Sequence, residues 1–204
     1  MAGKLKLTGE IALIARKMLK DVCTILENSD IPYVLEAGTL LGVIRENRLL
    51  PWDNDLDVTI TADAAQKLLA IRWKFWLAGY RTRIRRYKED LPPFKKGQVR
   101  ILKIQTRKFL ILKKYSLLDI FVKYPVEDDY CWMVAPENPV LKAVPKKYYD
   151  LRTKYEFDDK MYWVPEDYEG FLEYSYGDWR TPVKEWEFRL GDNCVRKIYG
   201  ADEK

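Results

Sequence analysis

Histidine is absent from all 204 residues. Its absence removes imidazole as a general base, any Ser-His-Asp arrangement, and His-ligated zinc or haem. Cysteine is scarce. Cys23, Cys131 and Cys194 stand too far apart for a zinc or iron–sulfur motif. An odd, sparse count reads as reduced thiols in a cytosol-like compartment, not as a disulfide framework. Long apolar runs are also missing. The N-terminal stretch from Ile11 to Ala15 stops at Arg16 and Lys17. A signal peptide needs about 7–15 apolar residues and a spanning helix about 20. The expectation is a soluble, cytoplasmic protein.

What is present argues for one packed domain. Apolar residues make up 48% and aromatics 14%, enough to close a core. No repeat or low-complexity linker divides the chain, so residues 1–204 read as a single α+β unit. Charge is uneven. Residues 72–114 carry 15 basic and 2 acidic groups, whereas residues 1–71 carry 8 and 10. The ordinary reading of that basic middle is a solvated face. The functional readings are attraction of a polyanionic acceptor, a nucleotide or an anionic membrane surface.

Periodicity supplies the elements. Ile11, Ile14, Met18, Val22, Ile25 and Leu26 recur at helical steps and predict a helix over 9–28, ended by Asn28-Ser29-Asp30 and Pro32. Tyr33 to Leu35 reads as a short strand, Glu36 to Thr39 as a turn, and Leu40 to Glu46 as a short helix. Asp55 to Ile60 alternates as a strand. Thr61 is the expected N-cap of a helix over 62–78, closed by Gly79. Strands are predicted at 80–87, 99–106, 109–113 and 116–124, with a loop over 91–97. The last third, rich in Pro, Tyr, Trp and acid, predicts short helices near 165–176 and 182–189.

One block carries chemistry: Glu36-Ala37-Gly38-Thr39-Leu40-Leu41-Gly42-Val43-Ile44-Arg45, then Leu50-Pro51-Trp52-Asp53-Asn54-Asp55-Leu56-Asp57-Val58. Asp55 and Asp57 project from one strand face, roughly 6–7 Å apart along the chain. Such a pair repels itself unless a cation intervenes, and hard oxygen ligands suit Mg²⁺ or Mn²⁺. Asp53 is in phase with them but precedes the alternation, at the strand's mouth. A Gly-Thr turn ahead of a helix offers free N–H groups and room for a phosphate. Either feature alone is commonplace. Together they are the toolkit of phosphoryl or nucleotidyl transfer.

The block resembles the signature of LicD-type proteins, which include bacterial phosphorylcholine transferases, fukutin and fukutin-related protein. Leu117-Leu118-Asp119-Ile120-Phe121 resembles the family's later acidic strand. Tyr162-Trp163-Val164-Pro165-Glu166-Asp167-Tyr168 and Tyr176-Gly177-Asp178-Trp179-Arg180-Thr181-Pro182 resemble its C-terminal signature. The resemblance covers about residues 28–60, 115–125 and 160–183. It implies a nucleotidyltransferase-like mixed sheet flanked by helices, with a core over about 9–125 and a small helical or irregular lobe over 126–204. It implies that Asp55, Asp57 and Asp119 hold Mg²⁺ or Mn²⁺ and carry catalysis. Asp119, flanked by Leu118 and Ile120, is otherwise an ordinary capping or salt-bridged acid. Gly38, Thr39 and Gly42 would line the phosphate-binding turn. Arg45 would touch phosphate or brace Asp53, and Asp53 itself falls within the substrate-binding block. Trp52 reads as packing, and the 176–182 segment as a structural cover over the site.

The activity implied is metal-dependent transfer of a phosphorylated alcohol from a nucleotide-activated donor, such as CDP-choline, to a hydroxyl of a glycan or glycolipid. Lacking histidine, the chain would use Asp119, or a hydroxide held at the metal, to take the acceptor's proton. Lys103, with Arg81, Arg83, Arg85, Arg86 and Arg100, would hold the donor or an anionic acceptor. A peripheral contact with an anionic membrane surface belongs to the same expectation; nucleic acid does not. The same acids would serve a nucleotidyltransferase that releases pyrophosphate, and a binding module without catalysis is the non-enzymatic alternative.

Overall fold

Helix α1 (Gly9–Glu27) buries Ala15, Met18, Leu19, Val22, Cys23 and Leu26 along one stripe, close to the predicted face. It opens a computed structural model that describes residues 5–108, 112–135, 137–183, 187 and 189–199. The stripe packs on a mixed sheet. Strand β1 (Val34–Leu35) pairs antiparallel with β2 (Leu56–Thr61), and β2 runs parallel to β5 (Leu112–Val126). On the other side of β5 lies β4 (Val99–Lys108), which pairs with the edge strand β3 (Tyr80–Arg86).

Strand period decides what each face does. Leu56, Val58, Leu102, Ile104, Leu118 and Ile120 are fully shielded in the apolar core. Their odd-numbered neighbours Asp57, Lys103 and Asp119 emerge on the opposite face. Register lines these up across three strands: Asp57 opposite Asp119, and Asp119 opposite Lys103.

Several elements differ from the sequence reading. Helix α2 (Ala37–Glu46) starts before the predicted turn ends, so Gly38 and Thr39 lie in its first turn. The predicted helix over 62–78 is three pieces: a 3₁₀ turn (Ala62–Ala64), α3 (Ala65–Ala70) and α4 (Arg72–Leu77). The bend at Ile71 lets Leu68, Ile71 and Phe75 all reach the core. Thr61 makes no capping bond to the backbone; its hydroxyl donates to Asp63. The strands expected at 109–113 and 116–124 differ too. Residues 109–111 lie outside the described residues, and Leu112 onward belongs to the single fifteen-residue strand β5.

The last third holds more strand than expected. Strands β6 (Asp129–Val134), β7 (Val140–Pro145) and β10 (Val195–Ile198) extend the sheet from the second half of β5. A short helix α5 (Lys147–Asp150) leads to a separate hairpin, β8 (Arg152–Phe157) with β9 (Lys160–Pro165). Helix α6 (Tyr168–Tyr176) is capped by the Asp167 side chain. Of the helix expected near 182–189, residues 184–186 and 188 lie outside the described residues, and the described ones, 182, 183, 187 and 189, are not helical. All three cysteines are buried free thiols. No helix among the described residues is long and apolar enough to cross a membrane.

Candidate active site

The start of α2 is fastened to β2 by backbone groups. Glu36 N–H donates to the Asp57 carbonyl at 3.0 Å. Asp57 N–H donates to the Thr39 hydroxyl at 2.8 Å. Thr39 is buried, so its hydroxyl serves this joint and does not line the cavity described below. Ala37, at the first helical position, adopts φ +47, a left-handed conformation costly for a residue with a Cβ. These contacts fix where Asp57 leaves the sheet.

Asp55, just ahead of β2, Asp57 and Asp119 then converge. One carboxylate oxygen from each lies within 4.8 Å of the others. Burial, with the charges of Asp119 and Asp53, pushes Asp55 up to about 7. Burial and the surrounding acids, Asp55 foremost, raise Asp57 well above the carboxylate range. Burial also raises Asp119, but the Lys103 ammonium opposes it through a direct ion pair. The apolar setting of Asp119 therefore has a compensating charge. Three mutually repelling, oxygen-only ligands suit a hard divalent cation such as Mg²⁺ or Mn²⁺.

The acids form one wall of a cavity of about 650 Å³. Gly38 lines it, and a Cβ there would sit 2.0 Å from a carboxylate oxygen of Asp53. The group against the α2 N-terminus in this structure is thus Asp53, whose carboxylate also accepts the Asn54 N–H at 2.8 Å. Gly42 lies away from the cavity. Its missing side chain lets the Arg48 carbonyl and Leu50 pack close, a Cβ being 2.5 Å from that carbonyl. Arg45 lines the cavity but bonds Glu46 and the Trp179 carbonyl at 3.1 Å, tying α2 to the C-terminal segment; neither bond goes to Asp53. Lys103 reaches the site only through Asp119. Trp52 is not packed as expected: it is 48% exposed at the cavity's rim. Of the 176–182 segment, Tyr176, Asp178, Trp179 and Thr181 line the cavity.

Sequence reasoning missed the far wall. Lys123 and Lys142 line the cavity almost without exposure, at 1% and 2%. Lys123 pairs with Glu36 at 3.0 Å and lies 3.6 Å from the Trp132 ring centroid. Burial lowers its pKa against the pull of Glu36. Lys142 pairs with Asp192. A signal existed: Lys123 is four residues beyond Asp119, on the same strand face, inside an apolar run.

The family model described as LicD/FKTN/FKRP, nucleotidyltransferase domain, matches residues 30–167. The chain belongs to this family. The LicD match contains all three converging acids. A protein of Rickettsia prowazekii (strain Madrid E) described as uncharacterized is 27% identical over 179 residues, covering 86% of this chain and 59% of its own length. A similar one from Rickettsia typhi (strain ATCC VR-144 / Wilmington) is 26% identical, covering 82% of this chain and 47% of its own length. The chain thus spans about half the length of these curated relatives. The lipopolysaccharide cholinephosphotransferase LicD of Haemophilus influenzae (strain ATCC 51907 / DSM 11121 / KW20 / Rd) is 34% identical over 62 residues, 30% of this chain and 23% of that one. Among solved structures, ANT(2")-Ia in complex with adenylyl-2"-tobramycin aligns with a TM-score of 0.35 and 16% identity, covering 56% of this chain and 52% of that chain.

Proposed function

We propose that this protein transfers a phosphorylated alcohol from a nucleotide diphosphate-linked donor to a hydroxyl of a glycan or glycolipid. The observation that carries the reading is the convergence of Asp55, Asp57 and Asp119 within 4.8 Å in the wall of a nucleotide-sized cavity. Family membership supports a substituted-phosphate transferase, and the segment similar to a lipopolysaccharide cholinephosphotransferase supports a phosphocholine-like group. A cytoplasmic setting accords with three unpaired thiols.

The three aspartates would hold Mg²⁺ or Mn²⁺, which would offset the charge of the diphosphate. The chain's own groups do the rest. The acceptor oxygen attacks the phosphorus that bears the alcohol, and the bond from that phosphorus to the bridging oxygen breaks. The nucleoside monophosphate departs with the bonding electrons. A carboxylate of the triad takes the acceptor's proton, since no imidazole exists. Asp119 is suited to this, because it lines the cavity with an ammonium, Lys103, directly beside it, and burial holds its carboxyl above the usual carboxylate value, nearer to that of a base. Trp179 and Tyr176 line the same cavity and would limit water around the reacting group.

The test pairs binding with products. Thermal shift against CDP-, UDP- and GDP-linked donors, with and without Mg²⁺, identifies the donor. Release of nucleoside monophosphate, abolished by Asp57→Asn, supports the proposal. Pyrophosphate release from a nucleoside triphosphate overturns it in favour of nucleotidyl transfer. No metal or nucleotide binding at all leaves a binding module.

A further inference from the structure

Helix α4 presents its large apolar residues the wrong way for a soluble surface. Only Phe75 turns into the core. Trp73, Trp76 and Leu77 are 57%, 54% and 66% exposed. Their spacing of three and four residues puts them on one helical face. Scattered exposed apolar residues are ordinary, but two tryptophans and a leucine on a six-residue helix form a contiguous patch.

The surroundings of the patch are cationic. Residues 72–86 contain six lysines and arginines and no acid. Each tryptophan carries a cation on its ring. The Lys74 ammonium lies 5.9 Å from the Trp73 centroid, and the Arg107 guanidinium lies 5.1 Å from that of Trp76. Arg107 also donates to the Trp76 carbonyl at 2.9 Å, fixing the pair. The acid on the neighbouring helix, Asp21, is already held by Lys17 at 2.6 Å and by the Tyr80 hydroxyl. Strand β3 continues the charge along the sheet edge with Arg81, Arg83 and Arg85 on alternate positions. Edge charges alone would be explained as protection against strand pairing. That account leaves the exposed indoles unexplained.

We infer that α4 and the adjoining edge of β3 dock on an anionic lipid surface, with Trp73, Trp76 and Leu77 in the headgroup boundary and the cations against lipid phosphates. Amphipathic indoles favour that boundary, and paired cations add attraction to anionic headgroups. A protein partner with an acidic surface would complement the charge, but indoles bearing ring cations match the layered chemistry of a bilayer edge. The inference stands apart from the transferase reading. It also has a geometric consequence. From Asp57 to Arg83 is three strand steps, about 14 Å, and Tyr80 lies three residues further, about 10 Å, toward the end of the sheet where Asp55 emerges. Docking there would bring the candidate active site near the lipid plane.

The experiment is co-sedimentation of the whole chain with phosphatidylcholine vesicles, with and without phosphatidylglycerol. The parent is expected to bind only the anionic vesicles, and less as salt rises. Trp73→Ala/Trp76→Ala/Leu77→Ala should lower the partition coefficient at least about tenfold. Unchanged circular dichroism and melting midpoint would show that this variant is folded. Arg81→Glu/Arg83→Glu should reduce binding while sparing the apolar patch. Should the triple variant not fold, the loss of brominated-acyl-chain quenching between the parent and Trp73→Phe/Trp76→Phe reads insertion of the α4 indoles against the signal of the remaining tryptophans. Failure of the parent to bind, equal binding by the folded triple variant, or no such loss of quenching would overturn the inference. So would lipid-free self-association that the triple variant abolishes, because the face would then be a contact between copies.

Discussion

Two groups of acid behave in opposite ways. Glu27, at the end of α1, receives Lys154 at 2.8 Å, Lys160 at 2.6 Å and the Tyr33 hydroxyl at 2.9 Å. Burial pushes its carboxyl up, but these three donors outweigh burial and hold it below the ordinary value. Asp55, Asp57 and Asp119 are brought together with Lys103 as their close cation, and burial and repulsion raise Asp55 and Asp57. One acid is a clamp that fastens the β8–β9 hairpin to α1. The other three share one close ammonium among three carboxyls, a shortage of positive charge that a ligand can relieve. The difference lies in the ratio of donors to carboxylates, and in depth: Glu27 is partly exposed, whereas Asp119 is buried.

The largest expected effect separates the two groups by activity. Asn at Asp55, Asp57 or Asp119 should lower turnover by about 10³-fold, the scale of several kcal/mol of charge stabilisation. The Asp55/Asp57 double variant should lose little more, because the acids act together. Glu27→Gln should leave turnover of the folded protein unchanged. Steady-state rates for this series are the measurement. Full activity in Asp57→Asn would erase the distinction.

Gly38→Val comes next. Its side chain would enter the space of the Asp53 carboxylate, 2.0 Å from a mere Cβ. Moving Asp53 should weaken Mg²⁺ and donor binding by about tenfold, a cost near 1.4 kcal/mol, read by calorimetry. Unaltered binding would show that Asp53 and the α2 N-terminus stand outside the site.

Stability should reverse the ranking. Glu27→Gln should cost roughly 1–3 kcal/mol in denaturant unfolding, because two ammonium groups lose their charge partner at a partly exposed site. The cost should depend on pH. A lowered folded pKa gives stability that is fully present above the unfolded value of 4.5 and is lost as pH falls through the folded value. The gap between parent and Glu27→Gln should therefore close in acid. A gap that persists would assign the effect to packing.

The smallest effect concerns the triad without metal. A raised folded pKa has the opposite sign: Asp55 costs stability as pH rises from its unfolded value of 3.8 toward about 7. Metal-free Asp55→Asn should match the parent in acid and exceed it by about 1 kcal/mol near neutrality. Saturating Mg²⁺ should cancel the advantage by stabilising the parent alone. Loss of stability in the metal-free variant would mean that Asp55 is a structural acid like Glu27.

The acidic strand was legible because period two is visible locally: Asp55, Leu56, Asp57, Val58 already assigns one face to carboxylates and the other to the core. Helix α1 was legible for the same reason at a period of 3.6. The hairpins of the last third were not. Their turns run through Glu127-Asp128 and Asp158-Asp159, with Glu127 and Asp158 left-handed, and lack the glycine that usually marks such turns. The break at Ile71 was hidden as well, since nothing local interrupts the helical pattern there.

By itself the sequence determined the elements whose signal is local, the identity of three acids, and the scarcity of alternative bases. Only the tertiary structure decided what surrounds each charge. Lys103 reaches Asp119 across an antiparallel pair, and Lys154 and Lys160 reach Glu27 over 127 and 133 residues. Lys123 finds Glu36 beneath Trp132. The electrostatic work of an acid depends on distances of a few ångströms to groups remote in the chain, and packing sets those distances. A carboxylate's presence can be read from one residue; whether it clamps or binds is fixed by its neighbours in space.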